Sequence, residues 1–476
     1  MDAGLSAAQA TDTQGDETIA RADPPSCRKP AGRRPNPCID VALTAATVAG
    51  TVRKVFPGLS GRYEALPDPR RQDMCRYSAA HIWWTGTLLF LTHAGSRNAF
   101  DQTRNSGQAA YNMGRFCGQE ADDPRFDGEP LITCTDNLTH HLNRVNPDPV
   151  REIPIEMCEQ LIKRRVFDAA RLFDTWYVLI FDGTVQERCR QGFEEGGKHA
   201  GRKGAAYRYV LQCGLRGPGN TFYPFMHEHV DMHDPHTEKE DCELSAFFRL
   251  SERIKQRFPR MRFCVVGDAL FCASTVLDRC AQYGWKYVLT VKEGRQPGLW
   301  EELLALLPLS WSNALRVWKG QDGREGLRDF RWVSDLPMGE HKVTTVLVGE
   351  LGLKADATLY AYVTNFLITP DRVLQIISTT GRERHLIEDY FNTEKNTGVG
   401  LGHVFCASPN ASKNFFSLLQ VAAILWTIIC HGYLMRTFDW AARATQMALA
   451  RAIAEGLRSS LLPETLPCPG QLRFLT

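Results

Sequence analysis

The chain has 476 residues, of which 43% are hydrophobic and 23% are charged. At roughly 150 residues per domain this length predicts two or three domains, and the composition excludes a mostly disordered protein. The 56 Lys+Arg and 54 Asp+Glu leave a net charge of +2, which excludes a strongly basic protein that coats nucleic acid. A surface that binds nucleic acid would have to be a basic patch on one part of the protein.

Cysteine spacing and hydropathy point to a cytoplasmic protein. None of the 15 cysteines forms a C-x-x-C pair, which argues against a zinc ribbon or finger, and we expect scattered reduced thiols. The most apolar segment, residues 415–434, has the length of a membrane span but carries Ser417, Gln420, Thr427 and His431. We therefore predict a buried core helix and no membrane partner.

The first part of the chain divides into an arm and a helical region. Residues 1–38 are rich in Ala, Asp, Pro, Gly and Arg without an apolar period, which predicts a flexible arm. From residue 39 to residue 173 apolar side chains recur three to four apart, which predicts helices. We expect Trp83 and Trp84 to fill the core of this all-α region.

Short apolar runs separated by turn residues follow, and they predict a mixed α/β domain over residues 174–294. The order is three strands, a helix, a strand, a helix and a strand, with a Pro-Gly-Asn turn between the second and third strands. These elements are predicted at residues 176–184, 206–215, 221–230, 238–258, 262–270, 274–284 and 286–294.

The rest of the chain predicts three further segments. Residues 295–369 lose the helical period and contain four strand-like runs, so we predict a β-rich insertion. Residues 370–458 turn helical again, and residues 459–476 carry three prolines and predict a tail.

Two acids follow apolar strands, and a third lies on a distant helix. Asp182 and Asp268 each come at a predicted strand end, where a single Asp is commonly a turn cap. Arg384, Glu388 and Lys395 are spaced R-x3-E-x6-K and share one helix face, which by itself could be an exposed face with Arg–Glu pairing. Together, three carboxylates can hold two divalent cations about 4 Å apart. Mg²⁺ prefers such oxygen ligands, and the chemistry indicated is phosphodiester cleavage.

This order of strand Asp, strand Asp and helix Glu resembles the ribonuclease H-like DDE transposases of bacterial insertion sequences. The R-x3-E-x6-K segment resembles the Y-R-E-K signature of the insertion sequence four group. TEKEDCELSAFFRL, before the second Asp, and GVGLGHVFCASPNASKNFFSLLQ, after the Glu, resemble the segments at the same places in these enzymes. The resemblance spans residues 135–433. Gly381 stands where the signature has its tyrosine.

The resemblance implies a fold, an activity and a set of site residues. It implies a ribonuclease H-like mixed sheet, with Asp182, Asp268 and Glu388 as catalytic ligands of two Mg²⁺ ions, for which Mn²⁺ can substitute. Arg384 and Lys395 would contact element-end phosphates. The enzyme would cut double-stranded DNA at the element ends and join the 3′-hydroxyls to target DNA, as a homodimer in the synaptic complex. It would act at the nucleoid of a prokaryotic cell, with the helical region at residues 39–173 binding DNA.

Local basic residues predict where DNA runs. The loop GGKHAGRKG between the first two strands places Lys198, Arg202 and Lys203 among glycines, so it can follow a phosphate backbone or be an ordinary solvated hairpin. Lys292, past the fifth strand, is a weaker candidate of the same kind. In related enzymes the insertion can supply a tryptophan that stacks on a base; for Trp311, Trp318 and Trp332 we expect a core role instead.

Three other functions stay open from the residues alone. A nuclease or resolvase without strand transfer would use the same three acids. The second is a catalytically decayed, DNA-binding descendant, which the three intact acids argue against and which Gly381 keeps open. The third is a zinc or iron enzyme built on a polar cluster in HEHVDMHDPHTEKEDC, whose candidate ligands are His227, His229, Asp231, His233, Asp234, His236 and Cys242.

Overall fold

The computed structural model describes residues 38–193, 198–199, 206–230, 242–321, 324–351 and 358–464. Residues from Cys38 onward form one compact unit. The predicted arm, apart from Cys38, and the last part of the predicted tail lie outside the described residues.

The region predicted as all-α is helical. Side-chain caps start several of these helices, as where Asp40 accepts a hydrogen bond from the backbone N–H of Leu43. Trp83 and Trp84 are buried, which confirms their predicted place in the core. The helices are α1 Val41–Val55, α2 Leu59–Glu64, α3 Ala79–Leu91, α4 Arg97–Thr103, α5 Ala109–Cys117, α6 Thr135–Arg144 and α7 Pro147–Lys163.

Ten strands form a single sheet within the described part of the chain. Five of them lie in the order β4–β3–β1–β5–β6, with β1 antiparallel to β3 and parallel to β5. This is the ribonuclease H-like order, so the predicted fold class is confirmed. The strands are β1 Tyr177–Cys189, β2 Lys198–His199, β3 Ala206–Gly217, β4 Thr221–Val230, β5 Phe263–Gly267, β6 Lys286–Val291, β7 Ala314–Gln321, β8 Arg324–Met338, β9 His341–Leu351 and β10 Thr358–Thr364.

The β-rich segment differs from the prediction in two ways. Its four strands continue the central sheet, because β10 pairs antiparallel with β6 and is followed in space by β9, β8 and β7. It also contains a helix that the sequence pattern did not predict, α10 at Pro297–Leu306, which buries only Leu299 and Leu303. Two core residues are too few to produce a clear amphipathic period.

The remaining helices cover the sheet and the helical region. α8 Glu243–Arg257 and α9 Ser274–Tyr283 belong to the ribonuclease H-like core. After the short helix α11 Pro370–Val373 come a π-helical segment, Leu374–Gly381, and a 3₁₀ turn, Arg382–Arg384. The chain then forms α12 His385–Asn396, α13 Pro409–His431, α14 Tyr433–Thr437, α15 Asp439–Arg443 and α16 Gln446–Ser459.

Helix α13 joins the helical region to the sheet. It packs against α3, α6 and α7 on one side and against β4 on another. The buried Asn414 side chain donates hydrogen bonds to the carbonyls of Leu142 and Val145 at 2.7 and 3.0 Å. Although α13 has the length and hydropathy of a membrane span, it is mostly buried inside the protein, as predicted for a core helix.

Candidate active site

Two aspartates lie side by side on the central parallel strands. Ile180 of β1 pairs with Val266 of β5, and extending this register by two residues places Asp182 beside Asp268. Neighbouring strands lie about 4.8 Å apart. Asp268 directly follows β5, as predicted, and its carboxylate accepts the backbone N–H of Leu270 at 2.8 Å.

Asp182 does not end its strand, contrary to the sequence prediction. Strand β1 continues to Cys189, and Gly183 stays paired with Leu211 of β3. The glycine is required by close packing: a Cβ atom at position 183 would lie 2.4 Å from the Tyr209 hydroxyl and 2.8 Å from Cδ of Glu243. Gly183 thus marks a close approach of side chains and not a turn.

The turn before α12 brings a guanidinium to the aspartates. Nη1 of Arg384 lies 3.4 Å from Oδ2 of Asp182, and Nη2 of the same side chain contacts Oε1 of Glu388. Glu388 lies one helical turn after Arg384 and is half-exposed. Arg384 therefore bridges a strand carboxylate and the helix carboxylate, and the three predicted acids face one region.

Lys395 also reaches this region. Its ammonium donates a hydrogen bond to Oγ1 of Thr184 at 3.0 Å, two residues beyond Asp182 on β1. Burial lowers the pKa of Lys395, the positive charge of Arg188 lowers it further, and Asp182 opposes both effects. The predicted shared face of Arg384, Glu388 and Lys395 is thus turned toward β1.

The carboxylate cluster is short of positive charge. Burial raises the pKa of Asp182 to about 6. The guanidinium of Arg384 lowers that pKa, while the negative charges of Asp268 and Glu388 raise it. A bound cation would offset this repulsion, and the site is electrostatically suited to one.

A tyrosine–carboxylate pair beside Asp182 was not predicted. The hydroxyl of Tyr209 donates to Oε1 of Glu243 at 2.8 Å. Burial, then the charge of Glu243, raises the pKa of Tyr209, and Asp182 and Asp268 add to the effect. The sequence did carry a signal for Glu243, because this residue lies within the TEKEDCELSAFFRL segment.

The donor set fits a hard divalent cation, although the ligands are not assembled around one. Carboxylate oxygens of Asp182, Asp268 and Glu388 are the ligands that Mg²⁺ prefers. Among the described residues, however, no three His, Cys, Asp or Glu side chains stand at positions that could hold a metal ion together. The guanidinium of Arg384 lies between two of the carboxylates and would have to move first.

Gly381, where the resemblance would place a tyrosine, occupies a position closed to side chains. A Cβ atom there would lie 2.9 Å from Cγ1 of Val288 and 3.0 Å from Cε1 of Tyr362. The ring of Tyr362, from β10, is buried against this backbone. A tyrosine at position 381 would therefore collide with the sheet.

The other predicted DNA contacts are only partly described. Lys198 lies in the two-residue strand β2, paired with Tyr207, and Arg202 and Lys203 fall outside the described residues. Lys292 follows β6 and is exposed. No hydrogen bond or ion pair links Lys292 to the carboxylates in the described part of the structure.

The structure shows the burial of two of the three tryptophans of the β-rich segment. Trp332 is buried in the sheet, as expected, whereas Trp311 is 83% exposed, so its predicted core role is wrong. The side chain of Trp318 lies outside the described structure.

The histidine cluster is only partly described. Burial lowers the pKa of His227 and of His229 well below the usual value. The other members of that cluster, apart from the exposed Cys242, fall outside the described residues: Asp231, His233, Asp234 and His236.

Comparisons with known proteins include a weak structural likeness. No protein-family model matches the chain, and no curated protein matches it. A cryo-EM structure of a piggyBac transposase synaptic complex with hairpin DNA is similar at 12% sequence identity and a TM-score of 0.38. The match covers 87% of this chain and 77% of that chain. The function of this chain therefore has to be inferred from its own residues.

Proposed function

We propose that the chain is a DDE-type DNA transposase that cuts DNA at the ends of a mobile element and joins the 3′-hydroxyls to target DNA. The observation that carries the proposal is the meeting of Asp182 and Asp268 on adjacent parallel strands, with Glu388 turned toward them through Arg384. Two strand carboxylates and one helix carboxylate supply the oxygen ligands that phosphodiester chemistry needs.

In this proposal each site residue has a defined task. Asp182, Asp268 and Glu388 would hold two Mg²⁺ ions, or Mn²⁺ in their place. Such a pair supplies an activated water or 3′-hydroxyl and stabilises the leaving oxygen. Arg384 would leave the carboxylates and contact a phosphate of the cut strand, and Lys395 would contact the next phosphate.

The proposed partner is double-stranded DNA, bound at the element ends by two copies of the chain. Lys198, Arg202, Lys203 and Lys292 would follow the backbone outside the carboxylates. Trp311 is exposed on the segment after α10 and offers a face for an unstacked base, a contact worth about 1–3 kcal/mol. The helical region would bind the ends, and the protein would act in the cytoplasm at the nucleoid.

The test is an end-mapped cleavage assay on a linear DNA fragment that carries the gene with its native flanks. The full chain is incubated with Mg²⁺ or Mn²⁺ and compared with Asp182→Asn, Glu388→Gln and the control Glu301→Gln. Glu301 is an exposed acid on α10. We expect paired cuts at flanking inverted repeats and joined products from wild type and the control, and neither from the two site variants.

Other outcomes separate the alternative functions. Cuts without joined products would indicate a nuclease or resolvase. Specific binding of the repeats without cutting by any variant would indicate a decayed, DNA-binding descendant. Cutting that survives both site substitutions would overturn the assignment of the carboxylates.

A further inference from the structure

A cavity of about 200 Å³ lies behind the helix that carries Glu388. It is lined by α12, α13, the turn between β3 and β4, the start of α16, and His93 after α3. On α12, Leu386, Tyr390 and Thr393 line it. These positions are about half a turn around the helix from Glu388 and Lys395, so the cavity is separate from the candidate active site.

One wall of this cavity is a buried carboxyl group without a cation. Glu394 lines the cavity and is 5% exposed, and its Oε2 atom is buried without a hydrogen-bond partner. The other two glutamates that are buried in the described structure are paired: Glu187 with Arg208 at 2.7 Å and Glu383 with Arg216 at 2.6 Å. A buried carboxyl group without a partner is costly, and Glu394 is the exception among these three buried glutamates.

A second buried polar atom without a partner belongs to His93, which also lines the cavity. Nδ1 of His93 lies 2.7 Å from the carbonyl oxygen of Thr397, so Nδ1 carries the hydrogen and donates it. Nε2 of the same neutral ring is then an acceptor, and it is buried without a partner. His93 and Glu394 thus line one cavity, and each has a buried acceptor atom without a partner.

The rest of the lining favours a small organic cation over a metal ion. No Lys or Arg is among the described residues that line the cavity, and Asp389 adds a further carboxylate. The rings of Phe222, Tyr390 and Trp426 offer faces that attract cations. A metal ion would need three or more side-chain ligands, and the described residues contain no such group.

We propose that this cavity binds a small aliphatic amine in its ammonium form. Its N–H groups donate to Oε2 of Glu394 and to Nε2 of His93, and its alkyl chain lies against the aromatic rings. The site is independent of the proposed catalytic function, because no ligand contact involves Asp182, Asp268 or Glu388.

Proton release gives the proposal a second readout. Burial raises the pKa of Glu394 to about 8 and lowers that of His93 to about 4, so both groups are mainly neutral at pH 7. An ammonium ion bound beside Glu394 ionises it, and the proton passes to the buffer. The other titratable groups that line the cavity are Asp389 and Tyr390 on α12, and Cys430 and His431 on α13.

The experiment is calorimetric titration of the full chain with n-butylamine, using n-butanol as the neutral ligand of the same carbon skeleton. We expect butylamine to bind at least tenfold more tightly than butanol, with release of close to one proton in buffers of different ionisation enthalpy. Glu394→Gln keeps the shape of the side chain, and it should weaken amine binding at least tenfold. Glu455→Gln, an exposed acid on α16 outside the cavity, is the matched control and should change nothing.

Several results would overturn the proposal. They are the absence of butylamine binding at millimolar concentration, equal affinity for butanol, or unchanged binding by Glu394→Gln. Asp389→Asn changes an exposed residue and does not threaten folding. It should weaken amine binding by about threefold through the loss of a nearby charge, and no change in this variant would also count against the site.

Discussion

Arg384 competes with any cation for the carboxylates of the candidate active site, because it contacts both Asp182 and Glu388. Replacing it by glutamine removes a positive charge and increases the repulsion among the acids. We therefore expect Arg384→Gln to bind Mn²⁺ about tenfold more tightly than wild type without DNA, equivalent to about 1.4 kcal/mol. Calorimetry or electron paramagnetic resonance measures this affinity.

The neighbouring arginine provides the control for that measurement. Arg382 pairs with Glu350 on β9 and makes no hydrogen bond or ion pair with Asp182 or Glu388 in the described structure. Arg382→Gln should leave Mn²⁺ affinity close to wild type. Equal or weaker Mn²⁺ binding by Arg384→Gln would show that the guanidinium does not oppose the cation.

Glu394 should make the stability of the fold depend on pH in an unusual direction. Burial raises its pKa from the usual 4.5 to about 8 in the folded protein, so the folded state holds a proton that the unfolded chain has lost between these pH values. Stability then falls as pH rises from about 4.5 to about 8. The advantage of Glu394→Gln over wild type should grow across this range and level off above it.

Thermal unfolding at a series of pH values checks this. Below pH 4.5 the two proteins should have similar melting temperatures, since Glu394 is then mainly protonated in both states of the wild type. Asp389, Tyr390, His93 and His431 also face the cavity, and they are unchanged in the variant, so the difference between the two curves isolates Glu394. A difference that is constant with pH would contradict the raised pKa.

Strand β1 needs a glycine at position 183 because its backbone there packs closely against the Tyr209–Glu243 pair. A methyl group at position 183 would meet the Tyr209 ring and hydroxyl and the Glu243 carboxyl group at under 3.0 Å. We expect Gly183→Ala to lower the free energy of unfolding by about 1–3 kcal/mol, the usual cost of overpacking. Gly298→Ala on α10 is the control, because nothing lies within 4 Å of its added Cβ atom. Denaturant titration compares them, and equal stability of the two variants would contradict the close packing.

Local patterns predicted the strands well and their partners less well. The apolar runs placed β3, β4 and β6 within a few residues of their observed bounds, because alternation and turn residues act over short distances. The pairing of β10 with β6 joins residues about 70 apart, and no local pattern encodes it. For the same reason the continuation of the sheet through the β-rich segment could not be predicted.

The candidate site was predictable in its residue types and not in its geometry. Two strand acids and an R-x3-E-x6-K helix were visible in the sequence, and the structure brings them to one region. The bridge from Arg384 to Asp182 joins positions 202 residues apart, so it depends on the packing of α12 against β1. Tyr209, Glu243 and the cavity behind α12 were missed because each is formed by side chains from different elements.

The helical region and the ribonuclease H-like core share α13, so neither should fold alone. Leu418 of α13 is buried, and its Cδ1 lies 2.5 Å from the Cβ position of Gly86 on α3. Removing residues 39–163 would strip α3, α6 and α7 from a long apolar helix and expose a large apolar surface. We expect the truncated chain to be insoluble or to unfold without cooperativity, and the full chain to show one calorimetric transition. A soluble truncated chain that unfolds cooperatively would instead establish the two predicted regions as independent domains.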